Sequence, residues 1–126
     1  MLAPCEVAVK SVIPAIRAYV AKELTQTYDM KQTDVAQILG ITQTAVSKYL
    51  NNVRGQAIRF DHTEAIQNKM NEIASKIAER KVSGPRLMLE FCDVCKAVRQ
   101  RGLMCQLCER SDSTLSNTPC TICKEE

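Results

Sequence analysis

Tryptophan is absent from the 126 residues, and the aromatic complement is three tyrosines and two phenylalanines. A core with so few large rings has to be assembled from Ile, Val, Leu, Met and Ala, and stays modest in a chain of this length. The same scarcity argues against the stacking platforms on which single-stranded nucleic acids are usually held. Histidine occurs once, at His62. It falls where a helix is expected to begin and reads as a surface residue. No apolar run approaches the roughly 18 residues that a membrane span needs. The opening Met1 to Cys5 has neither the basic region nor the apolar stretch of a secretory signal, so a cytoplasmic, reducing compartment and no membrane association are expected.

What is present is otherwise ordinary. Hydrophobic residues make up 45% and charged residues 25% of the chain, the globular average, which excludes wholesale disorder and collagen-like structure. Charge is mild, at +3, but unevenly placed. Residues 14–60 carry six basic side chains (Arg17, Lys22, Lys31, Lys48, Arg54, Arg59) against three acidic ones (Glu23, Asp29, Asp34), while residues 61–126 balance. The whole excess therefore lies in one segment, a weak footprint for a polyanion. Seven cysteines are the anomaly. In a reducing compartment such a count points to metal or redox chemistry rather than to structural disulfides.

The pattern predicts a mainly α chain in three zones: 1–60, 61–86 and 87–126. In the first, Val7, Val9, Val12 and Ile13 suggest a short entry helix. Pro14, tolerated only in a first turn, suggests a fresh helix or a kink, after which Ile16, Val20 and Leu24 share a face. In the second zone, Asp61-x-x-Glu64 reads as a capping box opening a helix over 61–82. Its stripe Ile66, Met70, Ile73, Ile77 alternates spacings of four and three. Two heptads fit either packing within the chain or a dimer seam. Ser83-Gly84-Pro85 breaks the pattern. The third zone carries six of the seven cysteines and a Ser/Thr/Asn/Pro-rich stretch from Ser111 to Pro119 that reads as a loop.

The most specific constellation runs from Gln32 to Leu50. Two helices crossing through a short turn leave no room for bulk where they touch, and Ala36 supplies the small contact. Gly40 is free to take a positive φ at the end of the first helix. Ile41 closes the turn, Thr42 can cap the second helix, and Val35, Leu39, Val46 and Leu50 face one core. The spacing from Ala to Gly and from Gly to Val matches a helix-turn-helix. Gln43, Thr44, Ser47 and Lys48 then point outward. Gln pairs with adenine, Lys reaches guanine and Thr packs on a thymine methyl. Arg54, Arg59 and Lys31 suit phosphate contacts, and each taken singly is equally a solvated charge.

On these residues the sequence resembles the Cro/λ-repressor (XRE) class of helix-turn-helix domains, and it looks closest to small predicted transcriptional regulators of archaea. The resemblance is carried by Leu-Ala-Pro-Cys-Glu (2–6), Pro-Ala-Ile-Arg (14–17), Ala-x-x-Leu-Gly-Ile-Thr-Gln-x-Ala-Val-Ser-x-Tyr-Leu (36–50) and Arg54-Gly55. It covers residues 1–60, and the Cys-rich tail looks similar to that group's. It implies binding of double-stranded DNA by a homodimer and regulation of transcription. The helix from Gln43 would be the recognition helix, with its N-terminal residues at base edges. Gln32 would contact a phosphate, and the DNA-binding set becomes Gln32, Thr42, Gln43, Thr44, Ser47, Lys48 and Arg54.

Cys92-x-x-Cys95 and Cys105-x-x-Cys108 are nine residues apart. Two such knuckles around a hairpin turning at Gly102 bring four thiolates to tetrahedral spacing, the zinc-ribbon arrangement. With few apolar residues expected to form a core over the last forty positions, a bound metal is the natural replacement for one. Zinc and an Fe–S cluster both use four thiolates, and an Fe–S cluster would give redox or iron sensing. Cys120, Cys123 and Cys5 are left as additional metal or redox residues. A zinc-ribbon module for protein or RNA interaction is the alternative function. A thiol-disulfide oxidoreductase would need a βαβ context that the pattern does not offer, so no enzymatic activity is expected.

Overall fold

The computed structural model describes residues 4–60 and 63–111, with side chains from Glu6 to Cys108 within that span. Seven helices follow one another in the described residues: α1 (Pro4–Lys10), α2 (Val12–Gln26), α3 (Gln32–Leu39), α4 (Gln43–Leu50), α5 (Glu64–Ala78), α6 (Gly84–Gln100) and α7 (Cys105–Ser111). The expectation of a mainly α chain holds for them.

α2 is the organising element. Val12, Ala15, Ile16, Ala18, Val20, Ala21 and Leu24 are all buried. At 100° per residue these positions occupy most of the helix circumference, as expected of a central helix rather than a surface one. α1, α3, α4, α5 and α6 all pack on it. The three alanines let neighbours approach closely, and Ala18 meets Ala45 and Tyr49 of α4. The break before α2 falls at Ser11, three residues earlier than the fresh start expected at Pro14. The buried Ser11 hydroxyl donates to the Val7 carbonyl at 2.7 Å. Pro14 then sits in the first turn, where its missing N–H costs no helical bond.

Four helices end alike. After α3, α4, α5 and α6 the chain takes a positive φ at Gly40, Asn52, Arg80 and Gly102. The amide of that residue and the one after it fold back on the last turn: Gly40 and Ile41 on Gln37 and Ala36, Asn52 and Val53 on Tyr49 and Lys48. Arg80 and Lys81 bond to Ile77 and Lys76, and Gly102 and Leu103 to Arg99 and Val98. This pairing satisfies carbonyls that would otherwise be orphaned at a helix end.

The stripe on α5 settles one open reading. Ile66, Met70, Ile73 and Ile77 are buried within the single chain, against α2 and α6. They form an internal core face and are not free to make a coiled seam with a second copy. α5 also ends at Ala78, short of the expected 82. It opens after Thr63, whose hydroxyl donates to the Phe60 carbonyl at 2.9 Å. Asp61, the first residue of the proposed capping box, and His62 lie outside the described residues.

The largest departure is in the third zone. Residues 84–100 are one helix, and Leu87, Phe91, Val94, Cys95 and Val98 bury its inner face. Pro85 stands in the first turn, so Ser83-Gly84-Pro85 does separate two elements. The hairpin expected around Gly102 is instead a helix-to-helix turn between α6 and α7, with Met104 buried beneath it. One apolar cluster reaches from Val7 to Met104, and so draws on all three zones. Lys76 Nζ joins α5 to α6 by donating to Glu90 Oε1 at 2.6 Å. That pairing raises the Lys76 pKa.

Candidate nucleic-acid interface

α3 and α4 are joined by three residues, and each does a separate job. Gly40 takes φ 67° and ψ 32° and ends α3. Ile41 is half-buried and packs on the core. Thr42, extended at φ −79° and ψ 156°, begins α4 by accepting the Ala45 N–H on its side-chain oxygen at 3.1 Å. That satisfies one of the free amides of the first turn. The Thr42 hydroxyl oxygen therefore serves α4 itself, which makes this residue a positioner among the seven proposed contacts.

α4 divides cleanly. Ala45, Val46 and Tyr49 are buried, while Gln43 and Thr44 are exposed and Ser47 and Lys48 half-buried. The Ser47 hydroxyl accepts from the Asn51 side-chain amide at 3.3 Å. Gln32, half-buried at the start of α3, is brought to Gln43. Both line a cleft of about 590 Å³ shared with Lys31, Thr33 and Leu50. Two residues eleven apart in sequence thus line one cleft where α3 begins. A helix N-terminus carries roughly half a positive charge, and Lys31 adds a full one beside it.

At the other end of α4 the Lys48 carbonyl accepts the amides of Val53 and Arg54 at 2.8 and 3.3 Å. This folds the chain back and sets the exposed Arg54 directly after the helix. Gly55 then runs against α2 at φ 76°, where a Cβ would stand 2.7 Å from both the Ala18 methyl and the Pro14 carbonyl oxygen. The Lys22 ammonium donates to the Asn52 side-chain oxygen, tying the end of α4 to α2. Gly55, Lys22 and Asn52 were not legible as one anchor from the sequence. The packing of Tyr49 on Ala18 likewise has no local signal in the sequence. Arg59 is exposed and lines a separate cleft with Lys22, Gly55 and Phe60. Tyr19, edge-on to Phe60 at 6.4 Å, donates to Asn71 Oδ1 at 2.9 Å. Burial first, and the nearby Glu23 charge second, raise its pKa, while the Asn71 bond works against them.

The cysteines do not assemble as the ribbon reading expects. Cys92 is exposed, Cys95 buried, and Cys105 and Cys108 half-buried. Cys92 and Cys95 sit three apart on a regular helix, one towards solvent and one in the core. Among the described residues no group of three or more His, Cys, Asp or Glu side chains is arranged to hold a metal ion. The proposed four-thiolate set is therefore not a fit to a tetrahedral zinc or Fe–S site in this arrangement. Cys120 and Cys123 lie outside the described residues, as does the Cys5 side chain. No helix among the described residues is long and apolar enough to cross a membrane. No protein-family model, curated protein or solved structure matches the chain.

Proposed function

We propose that the chain is a sequence-specific regulator of transcription that binds double-stranded DNA, with α3 and α4 as a helix-turn-helix and α4 as the recognition helix. One observation carries the reading. A Gly-Ile-Thr junction fixes an eight-residue helix whose inner side is buried and whose outer side presents Gln43, Thr44, Ser47 and Lys48. A two-sided helix of this size suits the major groove, where amide, hydroxyl and ammonium groups distinguish base edges. Lys31 and Gln32 before it, and Arg54 after it, are spaced to take backbone phosphates on either flank. Phosphate contacts set register, and base contacts set sequence. The cysteines contribute no step to this reading, because among the described residues Cys92, Cys95, Cys105 and Cys108 do not converge on a metal.

The test is selection of a duplex from a random pool, followed by binding titrations on the selected and a scrambled site. Gln43→Ala, Thr44→Ala and Lys48→Ala are each expected to cost about 1–3 kcal/mol on the selected site and little on the scrambled one. Arg54→Ala weakens both alike and reduces the salt slope by about one. Equal losses on both duplexes for all four variants would show that α4 does not read bases. Failure of the wild type to prefer duplex DNA over single-stranded RNA would remove the function altogether.

A further inference from the structure

α6 buries one face and leaves the other bare. Met88 and Leu89 are 68% and 65% exposed, the two most exposed large apolar side chains of that helix. Pro85 and Cys92 are exposed as well. The positions 85, 88, 89 and 92 follow the i, i+3, i+4, i+7 rule and form a single stripe, about 10 Å long at 1.5 Å per residue. α6 packs inward on α2 and α5, so this stripe faces away from the core those helices share.

The charges beside the stripe narrow what can cover it. Arg86 and Asp93 are exposed and seven residues apart, so a helical wheel puts them on the same flank. Among the described residues the ion pairs of this region engage Glu90, Glu79, Lys76 and Lys81, while Arg86 and Asp93 stand exposed. In an antiparallel pair of identical helices, like flanks face each other. A two-fold axis passing between Leu89 and Glu90 sets Arg86 of one copy opposite Asp93 of the other, and does so twice. The same register brings Met88, Leu89 and Cys92 of the two copies together. A parallel pairing has no such match, because it sets the Arg86 and Asp93 flank of one copy against the opposite flank of the other.

We infer that the outer face of α6 is a homodimer surface, in which two copies pair antiparallel through Pro85, Met88, Leu89 and Cys92 with reciprocal Arg86–Asp93 ion pairs. The surface replaces the α5 stripe, which the chain covers by itself. A single helix face is smaller than the roughly 800 Å² per partner of a standard stable interface, so the dimer is weak and forms as concentration rises. The inference is independent of DNA binding, since a monomer retains its own α4.

Sedimentation equilibrium of the full chain under reducing conditions, from low micromolar to submillimolar concentration, tests it. Reduction ensures that disulfide-linked pairs are not counted. The wild type passes from monomer to dimer. Leu89→Glu stays monomeric throughout, with unchanged helix content and Tm, because the site is exposed. Arg86→Asp weakens association about tenfold or more by facing like charges, and the double swap Arg86→Asp with Asp93→Arg restores it. A wild type that is monomeric at every concentration overturns the inference. So does a dimer indifferent to Leu89→Glu, or a double swap no better than the single one. Binding of Leu89→Glu to a duplex bearing one half-site separates this outcome from failure of the DNA reading.

Discussion

Gly40 and Gly55 both adopt a positive φ, at 67° and 76°, yet an added methyl group meets very different surroundings. At Gly40 nothing lies within 4 Å of a Cβ. Gly40→Ala therefore incurs the left-handed penalty, about 1–2 kcal/mol, partly offset by about 0.4–1 kcal/mol from the stiffer unfolded chain. The net is a loss of about 1 kcal/mol. At Gly55 the same methyl would sit 2.7 Å from the Ala18 Cβ and 2.7 Å from the Pro14 carbonyl oxygen, where carbon contacts relax only at about 3.5–4.0 Å. Neither neighbour is the end of a flexible side chain, since one is backbone and the other a methyl fixed to it. Separation requires the 51–58 segment to lift from α2, which adds about 1–3 kcal/mol of overpacking. Gly55→Ala is expected to cost about 2–4 kcal/mol in all. Urea unfolding followed by helix circular dichroism reads the difference. With a slope of about 2 kcal/mol/M, the midpoint falls by about 0.5 M for Gly40→Ala and by about 1–2 M for Gly55→Ala. Asn, which tolerates the left-handed region, recovers most of the loss at Gly40 and none at Gly55. Equal losses at the two positions would show that the close approach to α2 does not exist.

Ile73 is 3% exposed, so Ile73→Asp is expected to cost about 4 kcal/mol or more and to unfold the chain; a folded, monomeric Ile73→Asp protein by circular dichroism and sedimentation would contradict the internal packing of α5. The raised Tyr19 pKa means that the unfolded phenol ionises first. The stability it contributes is therefore complete below its ordinary value of 10.0 and is lost as pH rises through the folded value. Tyr19→Phe removes that alkaline decline, which denaturation midpoints measured on either side of pH 10.0 would detect. Because Leu87, Phe91, Val94 and Val98 hold α6 against the core, treatment with a strong chelator leaves the helix signal intact, whereas its collapse would show that a metal organises residues 84–108.

The α3–α4 unit was legible because its determinants are local. A glycine that must turn left-handed, a threonine that caps, and a small residue where two helices touch all act within a few positions of one another. The anchor behind it was not, because Lys22 with Asn52 and Gly55 with Pro14 and Ala18 are pairs 30 to 41 residues apart. Nothing in either member alone signals the other. Gly55 reads as a loop glycine until the distance to α2 is known. The α5 stripe illustrates the same limit from the other side. Its spacing is a true helical signal, but spacing states only that a face is apolar, and what covers that face is a tertiary fact. Here α2 and α6 cover it, and the second-copy reading moves to a face that the inner-face pattern had left unexamined.

The third zone misled for a different reason, and the reason separates two physical routes to order. Paired Cys-x-x-Cys motifs nine residues apart point to a metal only where the intervening and flanking chain has no other way of being held. Leu87, Phe91, Val94, Cys95 and Val98 fall at i, i+4, i+7, i+8 and i+11, an apolar face with helical period. In such a segment Cys95 behaves as one more small hydrophobe and lies in the core between Phe91 and Val98 along the same face. A Cys-x-x-Cys pair within a helix points its two thiols about 60° apart around the axis. On α6 this sends one to the core and one to solvent. The packing that makes α6 part of the fold thus turns Cys95 inward and away from the exposed Cys92. The exposed Cys92 takes its place at the end of the stripe assigned to a second copy of the chain.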